Sequence, residues 1–207
     1  MKIKQVESLL KKTKYIVLYN DGDKSQWVSN GAAAYPLHNM PWLDEDTLFT
    51  ILDVASDSRD KYTFQSAELS SARFDFDDVS PNEKVLNRDM IQLCMDGREV
   101  EPLKTTHGII FLDTQFLKPF TDEQSVELYE RYTESGETYI VVKSGLLLLG
   151  VIMPMKVLND TFVEMLSELT NLAVCQWEQE KQQKEAGIWH EQETFNFDDD
   201  IKWEEDE

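Results

Sequence analysis

The sequence that decides the fold is residues 139–157, YIVVKSGLLLLGVIMPMKV, the most apolar stretch of the chain. Its continuous apolar part is only about a dozen residues long, and Lys143 and Lys156 border it, whereas a membrane-spanning helix needs about 20 apolar residues. Ser144 and Gly145 divide the stretch into two apolar runs of strand length. The pattern therefore predicts a buried β-hairpin and no membrane segment.

The composition is that of a folded, strongly acidic protein. Of the 207 residues, 41% are hydrophobic and 11% aromatic, which is enough for one large core or two small ones. Forty Asp and Glu residues face twenty Lys and Arg residues, so that the formal net charge is −20. Such a field repels nucleic-acid phosphates at long range and attracts basic proteins.

The cysteines and the N-terminus bear on the cellular compartment. Cys94 and Cys175 lie far apart, and residues 1–14 carry charges throughout without the apolar core of a secretory signal. These features predict a reduced, cytoplasmic protein whose thiols are buried as small hydrophobes. No His-rich motif accompanies either cysteine, so neither is predicted to act as a nucleophile.

Outward from the hairpin, strand patterns dominate the chain. Strands are predicted at residues 15–19, 25–37, 61–69, 72–79, 92–103 (a hairpin), 108–112, 125–132 and 138–142. Helices are predicted at residues 3–13, 43–54 and 113–120, and a long helix follows Asn159 or Asp160, one of which caps it. The apolar stripe of that long helix consists of Phe162, Leu166, Leu169, Ala173 and Trp177.

These elements predict an α+β fold, a mostly antiparallel sheet with few helices. We expect an N-terminal half at residues 1–103 and a C-terminal half at residues 104–186 that ends in the long helix. Residues 187–207 contain nine Asp and Glu and a single Lys, which predicts an acidic, disordered tail.

Local signatures of enzymes are absent. The chain has no phosphate-binding loop, dinucleotide-binding, zinc-protease, nucleophile-elbow or CxxC motif. The acidic run at Asp75, Asp77 and Asp78 lacks the Gly and the distal Glu of a calcium loop and is interpreted as a solvated strand face. We therefore predict no catalytic residue, no metal and no cofactor, while an enzyme whose site forms only in three dimensions stays an alternative.

Residues 108–157 resemble the closing segment of bacterial DNA polymerase sliding clamps. In that family an apolar strand leads into a short helix, as residues 110–117 do here, and the last strand reads close to V-M-P-M-R, as residues 151–156 do. The resemblance implies two clamp-like halves and a hydrophobic groove that accepts short peptides from partner proteins. The implied groove residues are Met153, Pro154 and Met155, and methionine suits a site that receives varied apolar side chains.

The basic residues suggest where such a body would meet DNA. Family members face DNA with Lys and Arg on helices, and here the basic helix is the one at residues 3–13. The predicted DNA-facing residues are Lys4, Lys11, Lys12 and Lys14. Unlike the family, the chain continues past the last strand, and its other helices carry mostly acidic residues, so a ring around DNA is not predicted.

The acidic tail resembles the ends of bacterial single-stranded-DNA-binding proteins, which dock into basic pockets of replication and repair proteins. The residues that carry this resemblance, and that we predict to interact, are Phe195, Phe197, Asp198, Asp199, Asp200 and Trp203. Those tails end on a terminal Phe carboxylate, whereas four acidic residues follow Trp203 here. A tail that only solubilises the protein is the competing interpretation.

Three hypotheses of function follow. The first is a non-enzymatic protein-binding protein of DNA replication or of a phage or other mobile element, with a clamp-like body. The second is an acidic inhibitor that mimics nucleic acid and occupies the basic groove of a nuclease or a host defence complex. The third is the enzyme without a local motif. Under the first, the partners are proteins of nucleic-acid machinery, DNA contact is open, no membrane is involved, and a homo-oligomer is compatible with the sequence.

Overall fold

The computed structural model describes residues 1–22, 24–88, 91–95 and 97–187. Its helices are α1 (Ile3–Thr13), α2 (Glu45–Ile51) and α3 (Asp160–Glu185), and 3-10 helices occupy Ser56–Lys61, Leu69–Ser71 and Thr114–Phe120. The strands are β1 (Tyr15–Asp21), β2 (Ser25–Ser29), β3 (Ala33–Pro36), β4 (Thr63–Glu68), β5 (Lys84–Leu86), β6 (Leu93–Met95), β7 (Arg98–Thr105), β8 (Gly108–Asp113), β9 (Glu127–Tyr132), β10 (Thr138–Ser144) and β11 (Leu147–Ile152).

Two sheets organise these strands. Eight strands form the large sheet in the order β4-β1-β2-β3-β11-β10-β9-β5, and β6-β7-β8 form a small one. Only the pair of β1 and β4 is parallel among the described strands; all other neighbours are antiparallel. The predicted α+β class with a mostly antiparallel sheet is confirmed.

The β10–β11 hairpin lies in the middle of the large sheet and separates two cores. Alternate side chains of β10 point to opposite faces, as a strand requires. Ile140 and Val142 join the larger core, with apolar residues of α1, α2, β7 and β8. Tyr139 and Val141 join the smaller core on the other face. The predicted hairpin is therefore confirmed.

The smaller core is covered by residues 69–83, which we call the covering segment. Part of it, residues 72–79, was expected to be a strand, but it forms neither strand nor helix. Phe74 and Phe76 nevertheless turn toward the sheet and pack on Tyr139 and Trp27, with ring centroids 5.2 Å and 4.6 Å apart. The alternation of Phe and Asp thus marks a segment that lies on the sheet face and not a strand within a sheet.

The division of the chain differs from the predicted halves. Its contacts define one unit at Met1–Lys156 and a second at Val157–Glu207. Strand β3 from the predicted N-terminal half pairs with β11 from the predicted C-terminal half, where Ala34 lies opposite Val151. One sheet therefore spans both predicted halves. Residues 188–207, almost all of the predicted tail, lie outside the described residues.

The two cysteines also differ from expectation. Both Cys94 and Cys175 are exposed free thiols, whereas burial was predicted. Cys94 lies on the short edge strand β6 and Cys175 on α3. Among the described residues, no helix has the length and apolar character needed to cross a membrane.

Candidate functional site

A buried network of charges holds the covering segment to the sheet. Arg131 on β9 and Lys143 on β10 point to the same face as the smaller core, and their side chains are only 2% and 3% exposed. Glu83, at the end of the covering segment, lies between them. Its Oε1 accepts a hydrogen bond from Lys143 Nζ at 2.6 Å and its Oε2 accepts one from Arg131 Nε at 2.9 Å. One carboxylate therefore pairs with two buried cations, and the Asp75 carboxylate, 3.6 Å from Arg131 Nη1, supplies a second negative charge.

The remaining donors of Arg131 bind the backbone of the covering segment. Its Nη1 donates to the carbonyl oxygens of Asp75 and Asp77 at 3.2 and 2.8 Å. The Asp78 carboxylate, in turn, accepts the Leu148 backbone N–H at 2.8 Å. Hydrogen bonds of this kind replace the ladder that a strand would provide. They explain how an irregular segment stays on the sheet.

The electrostatics of Glu83 follow from its two partners. Burial by itself raises the pKa of a carboxyl group, because it disfavours the charged form. The hydrogen bonds from Lys143 and Arg131 outweigh burial, so the pKa of Glu83 lies below its ordinary value. Glu83 is therefore ionised when it holds the two cations.

Two clefts flank this network. The larger, of about 870 Å³, is lined on one side by residues 70–75 and on the other by residues 132–137 without Gly136. The smaller, of about 440 Å³, adds Lys84, His107 and the network residues Glu83 and Arg131. Asp75 and Tyr132 line both clefts.

Several side chains that line the clefts already interact with one another. Glu83 and Arg131 are already bonded to each other, and the His107 ring stacks edge-on against Tyr132 at 5.6 Å. The buried Tyr132 hydroxyl has no hydrogen-bond partner among the described residues. The arrangement fixes the covering segment in place.

The predicted groove residues lie at the end of the central hairpin. Met153, Pro154 and Met155 are all partly buried. Met153 packs against the smaller core and its N–H donates to the Ala32 carbonyl at 2.7 Å, while the Met155 N–H donates to the Phe111 carbonyl at 2.8 Å. The backbone of this stretch is thus fixed on both sides. A peptide groove formed by these residues stays a prediction.

The predicted DNA-facing lysines lie on or next to α1. Lys4, Lys12 and Lys14 are exposed, and Lys14 ends the helix in the left-handed conformation. Lys11 donates to Glu7 at 2.7 Å, and that hydrogen bond raises the pKa of Lys11. The positive charge of the helix is therefore partly neutralised within the protein.

The structure forms no binding site at the remaining predicted positions that it describes. The tail residues Phe195, Phe197, Asp198, Asp199, Asp200 and Trp203 lie outside the described residues. Asp75, Asp77 and Asp78 hold Arg131 and Leu148 through backbone and side-chain oxygens. No group of three or more potential metal ligands occurs within residues 1–187 where the structure describes them.

Helix α3 carries many exposed apolar side chains. Asn159 caps the helix, because its side chain accepts the Phe162 N–H at 2.9 Å. None of the 26 residues of α3 is buried. In particular, Leu169 is 63% exposed, Leu172 62% and Trp177 64%. A long helix with an apolar stripe in water is a typical docking element.

Sequence reasoning missed the network of Arg131, Lys143 and Glu83, although a signal was present. Lys143 continues the alternation of Tyr139 and Val141 along an otherwise apolar strand, so its side chain had to point to the same covered face. A charge at an inward position implies a buried partner of opposite charge. The partner itself, 60 residues away, is not visible in the local pattern.

Comparison with known proteins gives no relative from which a function could be inferred. No family model, no curated protein and no solved structure matches the chain. The resemblance of residues 108–157 to sliding clamps therefore stays a sequence-based prediction.

Proposed function

We propose that the protein is a non-enzymatic protein-binding protein and that α3 is its docking element. The observation that carries this proposal is that none of the 26 residues of α3 is buried and that apolar side chains such as Leu169, Leu172 and Trp177 are exposed. Exposed apolar area costs free energy in water, roughly 25 cal/mol per Å². A surface of this size is a typical feature of a protein that buries it against a partner.

The apolar side chains of α3 lie on one broad side of the helix. At about 100° per residue, they span an arc of roughly 200°. The set consists of Phe162, Val163, Met165, Leu166, Leu169, Leu172, Ala173, Val174 and Trp177. Glu164, Glu168 and Glu178 occupy the opposite side. This separation is the pattern of a helix that buries one side in a protein interface.

Charge limits the kinds of partner. Residues 160–180 contain five acidic residues and no Lys or Arg. An acidic helix is repelled by anionic lipid headgroups, so a protein surface suits it better than a membrane. The chain as a whole carries −20, which attracts basic proteins at long range. Proteins of DNA replication or of a mobile element, which the clamp resemblance implies, are partners of that kind.

The proposal is tested by affinity capture from the native host. The bait is the full-length protein, and the variant is Leu169→Glu, with Asn171→Glu as the matched control on the acidic side of the same helix. We expect the wild type and the control to capture replication or repair proteins and the Leu169→Glu variant to lose them. A further chain that ends at Gly187 separates the contribution of residues 188–207 from that of α3.

Two results would contradict the proposal. If Leu169→Glu captures the same proteins as the control, α3 is not the docking element. If the captured protein is a nuclease or a defence complex and neither α3 variant affects its capture, the nucleic-acid mimic is the better hypothesis.

A further inference from the structure

We infer that residues 195–204 bind the sheet face of a second copy of the chain, at the site that residues 74–83 of the covering segment occupy in the structure. Two observations carry this inference: a repeat within the sequence, and the contacts that the first occurrence of the repeat makes. It goes beyond the proposed function, because the site lies on the large sheet and not on α3, and because the partner is another copy of this chain.

The two segments share a sequence pattern. Residues 74–83 read FDFDDVSPNE and residues 195–204 read FNFDDDIKWE, so both fit the pattern F-x-F-D-D-x-x-x-x-E. Five of the ten positions are identical, and each segment contains four acidic residues. The identical pairs are Phe74 and Phe195, Phe76 and Phe197, Asp77 and Asp198, Asp78 and Asp199, and Glu83 and Glu204.

The two repeated phenylalanines supply aromatic contacts of the covering segment. Phe74 packs on Tyr139, with ring centroids 5.2 Å apart. Phe76 packs on Trp27 at 4.6 Å and lies 6.2 Å from the Tyr19 ring. Two side chains that are separated by one residue point to the same side of an extended segment. The second occurrence of the pattern keeps this spacing, so its two phenylalanines suit the same rings.

The repeated acidic residues supply the polar contacts. The Asp78 carboxylate accepts the Leu148 N–H at 2.8 Å. The Glu83 carboxylate accepts hydrogen bonds from Arg131 and Lys143, the two buried cations of this face. Both carboxylates recur in residues 195–204 at the same distance along the chain from the phenylalanines. Since buried cations need a partner of opposite charge, the distal Glu is the residue that a replacing segment has to keep.

The positions that differ are compatible with most of the same contacts. Asn196 stands at the position of Asp75, whose Oδ1 accepts the Asp77 N–H at 2.9 Å, and an Asn side-chain oxygen accepts this hydrogen bond equally well. Asp75 also offers Arg131 its carbonyl oxygen, which every residue has. The exchange loses the ion pair of the Asp75 carboxylate with Arg131, at 3.6 Å. Three of the other differing positions are exposed in the covering segment: Val79, Pro81 and Asn82.

The covering segment competes with residues 195–204 for the site. It is joined to the chain at both ends, so it returns to the sheet face at a high effective concentration, on the order of millimolar. A segment from a second copy therefore binds when the covering segment is weakened or when the protein is concentrated.

Binding at this site is tested with a fluorescein-labelled peptide of residues 193–205, followed by fluorescence anisotropy. The receptor is the full chain with Phe74→Ala and Phe76→Ala, which weaken the hold of the covering segment. It also carries Phe195→Ala and Phe197→Ala, so that its own repeat does not compete. We expect the receptor to bind the peptide at least about 10-fold more tightly than the wild type does. A peptide in which both phenylalanines are replaced by Ala keeps every charge and should not bind.

Folding of the receptor is checked by circular dichroism and thermal unfolding. The peptide should raise the melting temperature of the receptor, because it binds the folded state. A milder receptor carries Phe76→Leu in place of the two substitutions in the covering segment and serves if the first does not fold. It should still bind the peptide more tightly than the wild type does.

The second copy as the partner is tested by sedimentation velocity at about 100 µM. The chain with only Phe74→Ala and Phe76→Ala keeps its repeat, and we expect it to form dimers or longer assemblies. The receptor, which lacks both phenylalanines of the repeat, should sediment as a monomer under the same conditions.

The outcomes decide the inference separately from the proposed function. A peptide that binds no better than its Ala control, or that binds the wild type and the receptor equally, overturns the site. Monomers of the chain with only Phe74→Ala and Phe76→Ala overturn the second copy as the partner. Leu169→Glu, which tests α3, should leave peptide binding unchanged, so either proposal can fail without the other.

Discussion

Arg131 and Glu83, 48 residues apart, form the ion pair that fixes the covering segment on the smaller core. Lys143 joins the same carboxylate from the neighbouring strand. Both cations are almost completely buried, and their ion pairs with Glu83 offset part of the free-energy cost of removing them from water. The network therefore links three distant parts of the chain through one side chain.

Replacing Glu83 with Gln should destabilise the protein by about 3 kcal/mol, because it leaves two buried cations without their shared carboxylate. Urea unfolding followed by tryptophan fluorescence measures the change, and Trp27 in the smaller core reports on it directly. Glu134→Gln, at an exposed position of the adjacent cleft, is the matched control and should change stability by less than about 0.5 kcal/mol. Equal effects of the two substitutions would show that the network contributes nothing specific.

The same pair predicts how stability depends on pH. The folded-state pKa of Glu83 lies below its ordinary value of 4.5, so the unfolded chain takes up its proton first as the pH falls. The stabilisation is therefore complete above about pH 5.5 and is lost as the pH falls through the folded-state pKa. We expect the difference in unfolding free energy between wild type and Glu83→Gln to be constant from pH 7 to about 5.5 and to shrink below pH 4.5. A difference that stays constant down to pH 3 would contradict this assignment.

Local patterns were sufficient to predict some elements of the fold. The β10–β11 hairpin, α1 and the N-cap of α3 depend on residues that are close in sequence. The first two appear as predicted, and of the two predicted cap residues, Asn159 and Asp160, the structure has Asn159. The covering segment was mistaken for a strand, because Phe74 and Phe76 alternate with Asp in the same way on a sheet face as within a sheet. The deciding partner, Arg131, is more than 50 residues away.

Long-range pairing limited the prediction of domains and sites. The pairing of β3 with β11 crosses the predicted boundary after residue 103, and no local pattern in residues 33–36 indicates a partner strand so far along the chain. The stripe of α3 was visible in sequence, but its exposure was not, since a period of 3.6 shows only that one side is apolar. Whether that side is covered depends on contacts between segments.

A glycine of the central hairpin gives a test of packing. Gly150 lies where a Cβ atom would be 2.7 Å from Cζ of Phe120 and 3.2 Å from the carbonyl oxygen of Ala34. Gly150→Ala should therefore cost about 1–3 kcal/mol, because the core has to shift to admit a methyl group. Thermal and urea unfolding measure the loss.

The cause of that loss can be checked with a second substitution. Phe120→Leu shortens the side chain that the new methyl group would meet. In this background Gly150→Ala should cost less than in the wild type, so that the two changes are not additive. Strict additivity would show that the contact with Phe120 is not the source of the strain.

The cap of α3 gives a prediction for the second unit. Asn159 accepts the Phe162 N–H, and α3 has no buried residue whose packing could compensate for a lost cap. Asn159→Ala should therefore cost about 1 kcal/mol of helix stability and fray the first turns. Circular dichroism at 222 nm on the full chain should show a lower helix content. Asn159→Asp keeps a side-chain acceptor and should retain it.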